Sequence, residues 1–121
     1  MNEQALLFLT ELEVALIAQA RRRQPIGYLN LASAMRMPGP HRIHRLTHAL
    51  EVLAQRDLAA GRPLLAALAV GRSGIPGRGF FQMLSERGAY QGPDEGAEAR
   101  RWHERALSDA IAYWSSPAAR A

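Results

Sequence analysis

Apolar residues recur at three- and four-residue spacing in three long stretches of this chain, and a stretch with that period buries its apolar face only as an amphipathic helix. The first runs over residues 2–22, where Leu6, Leu9, Leu12, Leu16 and Ala20 form the stripe with Phe8 beside it. Asn2 suits the N-cap, Glu3 the positive end and Arg21, Arg22 and Arg23 the negative end, while Pro25 stops the helix. A second, shorter helix is expected from about Tyr28 to Arg36, with Tyr28, Leu31, Ala32 and Met35 on one face. Met37-Pro38-Gly39-Pro40 then reads as a tight turn, with Gly39 as N-cap and Pro40 presetting the first turn of the next helix. That third helix is expected from Pro40 to about Arg56. Ile43, Leu46, Leu50 and Leu53 face inward, and His41, His44, Arg45, His48 and Gln55 project outward. The last helix, about Asp94 to Trp114, carries Trp102, Ala106, Leu107, Ala110, Tyr113 and Trp114 on a wide apolar arc, with Arg105 and Asp109 as an outward pair.

The pattern changes after Gly61. Leu64 to Val70 is a continuous apolar run entered through Pro63 and left through Gly71, which fits a strand or a buried helical turn. Four glycines in the next nine residues favour a strand running into a loop. Residues 64–70 are therefore expected to pair with the segment around Arg78–Phe81 as a hairpin, although Phe80 and Phe81 can equally begin a short helix through Arg87. No internal repeat is visible. At 121 residues the chain supports one core, so the expectation is a single, mainly α domain: a core over about 26–82, with a small β-hairpin, flanked by long terminal helices.

Charge is unevenly placed along that plan. All 15 basic residues are arginine, and 11 of them lie between Arg21 and Arg87 against only Glu51, Asp57 and Glu86, so this stretch carries +8. Residues 1–20 carry −3 and residues 88–121 carry −1. Arginine's planar fork suits phosphates and base edges, so a basic centre points to nucleic acid. Codon bias in a GC-rich genome writes the same lysine-free composition. Cysteine is absent, which excludes disulfides, thiolate metal sites and a cysteine nucleophile. Neither a signal peptide nor a membrane-length apolar run is present, so a cytoplasmic protein is expected.

The order helix, helix, tight turn, helix, strand, Gly/Arg hairpin resembles a winged helix-turn-helix domain. That resemblance implies a third helix in the major groove and a hairpin on the adjacent backbone. From Ile26 through Tyr28, Leu31-Ala32 and Pro63 to Gly79-Phe80 the rhythm is similar to the DNA-binding half of alkylguanine-DNA alkyltransferases and alkyltransferase-like proteins. The Pro-Cys-His-Arg segment of that family would fall near Pro63-Leu64-Leu65-Ala66, where its cysteine, histidine and arginine are missing, so the resemblance implies DNA binding alone. Residues 63–68 and 74–81 are also similar to small bacterial proteins of no assigned activity.

These observations lead to a non-catalytic double-stranded DNA-binding protein of the transcription-regulator kind. Arg42, Arg45, His41 and His44 would contact DNA from the third helix, and Arg72 and Arg78 would contact phosphates from the hairpin. The alternative is a protein-interaction module, of adaptor, antitoxin or phage-defence type, on the same fold. Trp102, Tyr113 and Trp114 read as core or as a subunit contact, and a homodimer through the terminal helices is expected if the latter holds. His44, His48 and Glu51 recur at i, i+4 and i+7, a spacing zinc can use, yet no fourth ligand can be placed, so no metal is expected. His103 sits within the apolar arc and reads as a core histidine. The loop from Gly71 to Gly79 matches no nucleotide motif, and no serine has a base and orienting acid at recognisable spacing, so no cofactor and no catalysis are expected.

Overall fold

The structure is a computed structural model that describes residues 2–116. Its elements in chain order are α1 (Glu3–Arg22), β1 (Ile26–Gly27), α2 (Tyr28–Ala34), α3 (Arg42–Ala60), a 3-10 helix (Leu65–Leu68), β2 (Ala69–Val70), α4 (Arg78–Glu86) and α5 (Ala97–Trp114). The fold is mainly helical, with a small two-stranded parallel sheet. No helix among the described residues is long and apolar enough to cross a membrane.

The terminal helices form as their periodicity requires. In α1 the Asn2 side chain accepts the Ala5 N–H at 2.8 Å, and the chain leaves the helix through Arg23 in the left-handed region. Leu9, Leu12, Leu16 and Ala20 are buried as expected, together with Ile17, whereas Leu6 is exposed. In α5 the buried residues are Ala99, His103, Ala110, Ile111 and Trp114, with Trp102, Ala106 and Leu107 packed against the core. Arg105 and Asp109 are both exposed, with no ion pair between them.

Between these helices the expected boundaries shift for identifiable reasons. α2 ends at Ala34, two residues early, because Arg36 turns to positive φ. α3 starts at Arg42 rather than Pro40: His41 has φ 60° and occupies the cap position expected of Gly39, which a residue inside a right-handed helix cannot do. At its other end α3 continues past Arg56 to Ala60. Gly61 stops it at φ 69°, with the Arg62 N–H returning to the Asp57 carbonyl at 3.0 Å.

The largest correction concerns the hairpin. Residues 64–70 do not pair with residues 78–81. Leu65 to Leu68 wind into a 3-10 helix, and only Ala69 and Val70 pair as a strand, opposite Ile26 and Gly27 in parallel register. A parallel pair needs a crossover, which α2 and α3 provide. The 3-10 helix contacts α1, α3 and α5, so each of its side chains is buried whichever way it points. That surround explains the unbroken apolar run. Residues 78–86 form α4, burying Phe80, Phe81, Met83 and Leu84, and no β-hairpin remains among the described residues.

Polar groups drawn into this core are satisfied. Asp57 accepts from Arg62 Nε at 2.6 Å and from the Leu65 N–H at 3.0 Å, tying the end of α3 to the start of the 3-10 helix. Burial raises its carboxyl above the ordinary range, more than those two donors hold it down. Arg62 also lies 5.6 Å from the Trp114 ring, whose Nε1–H donates to the Pro63 carbonyl at 2.8 Å. His103 is the buried core histidine expected, with Nε2 2.9 Å from the Ala67 carbonyl oxygen, and burial depresses its pKa.

Candidate nucleic-acid interface

Most side chains of α3 fall where a 100° projection puts them, except Gln55, expected outward, and Ile43, expected inward, which both lie between the two faces. His41, His44, Arg45 and His48 are exposed and Gln55 is half-buried, while Leu46, Leu50 and Leu53 are buried and Ile43 sits at the edge. Arg42 is half-buried and has no ion pair among the described residues. Arg45 is committed internally: its guanidinium donates to the Pro38 carbonyl and, at 3.3 Å, to the Pro40 carbonyl, so it holds the turn that launches α3.

Arg72 and Arg78, expected on one hairpin, part company. Arg72 lies exposed in the loop 71–77, which joins β2 to α4. The loop is closed on itself by the Gly71 N–H to the Ile75 carbonyl at 2.9 Å and the Gly74 N–H to the Gly71 carbonyl at 3.0 Å. Arg78 opens α4 and pairs through Nε with Asp94 at 3.3 Å, although its side chain remains 75% exposed.

Tyr28 joins the loop to the helix pair. Its hydroxyl accepts the Gly77 N–H at 2.9 Å, across 49 residues of sequence. The loop's neck rests on the tyrosine: a Cβ on Gly71 would stand 3.5 Å from the Tyr28 ring and one on Gly77 3.8 Å from its hydroxyl, both ordinary contact distances. Burial raises the Tyr28 phenol above its ordinary pKa, against the Gly77 N–H and with the help of Glu51. One cleft of about 430 Å³ results, lined by Tyr28, Leu29, Asn30, Ile43, Val70 and Arg72 among others. The start of α3 and the arginine-bearing loop thus share a surface.

Its charge is not uniform. Glu51 lies on the α4 side, where a Cβ on Gly79 would stand 3.4 Å from its carboxylate. Burial and Glu86 raise its pKa, while His48 and His44 lower it. Despite that influence, no group of three or more His, Cys, Asp or Glu among the described residues is placed to hold a metal ion.

Sequence reasoning missed Tyr28 as the loop's anchor, Asn30 and Leu29 as cleft walls and Asp57 as the hinge of the core. The available signal for the anchor was Tyr28 on the apolar face of α2, because a tyrosine hydroxyl drawn toward the interior takes a hydrogen-bond partner. Comparison of the chain with protein-family models, with curated proteins and with solved structures finds no match.

Proposed function

We propose that this protein binds double-stranded DNA without catalysing a reaction on it, using the N-terminal end of α3 and the loop 71–77. The observation that carries the reading is the shared cleft, in which Ile43 of α3 and Arg72 of the loop line one opening. A helix that reads a groove needs a second, backbone-directed contact beside it. The closed loop 71–77 would play the part that the hairpin has in a winged helix-turn-helix domain. The surrounding stretch from Arg21 to Arg87 carries +8. Arg42 and Arg72, which have no ion pair among the described residues, would meet phosphates, and His41 and His44 would make the shorter contacts. Arg45 would act by shaping the turn, and Arg78 would first have to leave Asp94.

Fluorescence anisotropy with a labelled duplex tests the reading. Arg42→Ala with Arg72→Ala is expected to weaken binding at low salt by about tenfold or more, at roughly the value of one to two charged contacts. Asp94→Asn, which releases Arg78, should leave binding intact or strengthen it. The reading fails if the duplex does not bind saturably at low salt, or if the double variant binds like the wild type.

One observation favours a second reading, a protein-interaction module. Between α1 and α3 lies a groove of about 340 Å³ whose walls include Phe8, Leu9, Met37 and Val52, with Arg45 and His48 also lining it. Such a groove suits an apolar side chain from a partner that also carries an acid. Val52→Glu should abolish that interaction and leave DNA affinity largely unchanged.

A further inference from the structure

Among the described residues, nothing covers Leu7 and Val14 on the outward face of α1. Leu7 and Val14 are 59% and 53% exposed, and Leu6 beside them is 45% exposed. They belong to a second pattern in the same helix, distinct from the stripe that faces the core. Glu3, Leu7, Thr10, Val14, Ile17 and Arg21 recur at alternating spacings of four and three, the period of a coiled-coil seam. Ile17 is already buried and marks where the two faces meet. The Thr10 hydroxyl donates to the Leu6 carbonyl at 3.0 Å, so its polar group is satisfied inside the helix and does not oppose burial.

The seam's ends have opposite charge: Glu3 stands in the first turn and Arg21 in the last. A parallel pair would stack Glu3 on Glu3 and Arg21 on Arg21. An antiparallel pair, with its two-fold axis at the level of Leu12, instead sets Glu3 against Arg21 and Thr10 against Val14, and places the exposed Leu7 at the level of the already buried Ile17, at the edge of the seam. We propose that two copies of this chain associate through the outer faces of α1, antiparallel and in that register. The contact is isologous, so each layer occurs twice. A seam about 30 Å long joining two single helices buries on the order of 1,000 Å², the low end of specific interfaces, so the dimer forms in a concentration-dependent way. Glu11 flanks the seam near the axis and approaches its own copy, so Glu11→Gln tightens the association.

Sedimentation equilibrium of the full chain from about 1 µM to several hundred µM spans the affinity such an area supports. Reversible monomer–dimer behaviour is expected. Leu7→Asp, and independently Val14→Asp, should abolish the dimer over this range with a melting temperature close to wild type, because both residues face solvent in the monomer. Orientation is read by disulfide trapping, which the absence of native cysteine makes clean. A mixture of Glu3→Cys and Arg21→Cys chains should cross-link to the mixed dimer, while Glu3→Cys alone should not, since its two sites lie about 27 Å apart at 1.5 Å per residue. A monomer at every concentration, a Leu7→Asp chain that dimerises as well as wild type, or Glu3→Cys chains that cross-link faster alone than in the mixture would each overturn the proposal.

Discussion

Asp57→Ala removes a side chain that hydrogen-bonds the end of α3 to the start of the 3-10 helix, and its cost can be worked from the two donors it leaves behind. The Leu65 N–H, buried and 3.0 Å from Asp57 Oδ2, loses its acceptor. An orphaned buried N–H costs about 1–3 kcal/mol. Arg62 loses a 2.6 Å contact, but its side chain is 36% exposed and it also rests against Trp114, so water takes over much of that bond. The expected loss is therefore about 2–3 kcal/mol, or roughly a 10 °C fall in melting temperature for a domain of this size. Asp57→Asn separates the contributions. It keeps an acceptor for Leu65, gives up only the partly solvated Arg62 pair and avoids burying a charge whose pKa is already raised, so it should cost less than about 1 kcal/mol. Urea denaturation at neutral pH measures both. If Asn costs as much as Ala, or if Ala costs less than about 0.5 kcal/mol, the orphaned amide is not what Asp57 prevents.

Three further outcomes follow from the same structure. Tyr28→Phe deletes the acceptor of the Gly77 N–H and should cost about 1 kcal/mol, with faster hydrogen exchange at Gly77 and neighbouring loop amides but little change in α5. His103 has a folded pKa below its ordinary 6.5, so the unfolded chain binds the proton more readily. The stability that depends on a neutral His103 is therefore present above pH 6.5 and is lost as pH falls below it, by up to about 1.4 kcal/mol per pH unit, and His103→Gln should flatten that slope in a urea-midpoint series. Arg72→Ala should reduce the salt dependence of DNA binding by about one phosphate contact, whereas Arg78→Ala should change it less, because Asp94 already holds that guanidinium.

Where one periodicity governs a long stretch, the sequence was sufficient. The inward and outward faces of α3 follow from 3.6-residue spacing, and so do the cap at Asn2 and the burial of His103 within an apolar arc. What failed was local pattern reading where the tertiary surround decides. Residues 65–68 are apolar because three helices enclose them, and continuous burial looks the same whether the backbone is extended or wound. The partner of β2 lies more than forty residues upstream at Ile26 and Gly27, a pairing that no turn signal announces. For Phe80 and Phe81 the sequence left a hairpin strand and a short helix through Arg87 both open, and the structure takes the helix, Arg78–Glu86. Within the candidate site, the exposed positions His41, His44 and Arg72 were legible as exposed. The commitment of Arg45 to the Pro38 and Pro40 carbonyls was not, because the left-handed His41 that brings those carbonyls within reach is a conformation few sequences advertise.

The most direct test of the DNA reading is the salt dependence of duplex affinity for the wild-type chain, measured between about 50 and 300 mM monovalent salt, where counterion release dominates. A surface built on Arg42 and Arg72, joined by Arg78 once it leaves Asp94, predicts that the logarithm of the association constant falls linearly with the logarithm of salt. Two to four phosphate contacts would give a slope of roughly −2 to −4. Affinity that is absent at the lowest salt, or that does not change across the range, would contradict DNA binding by this surface.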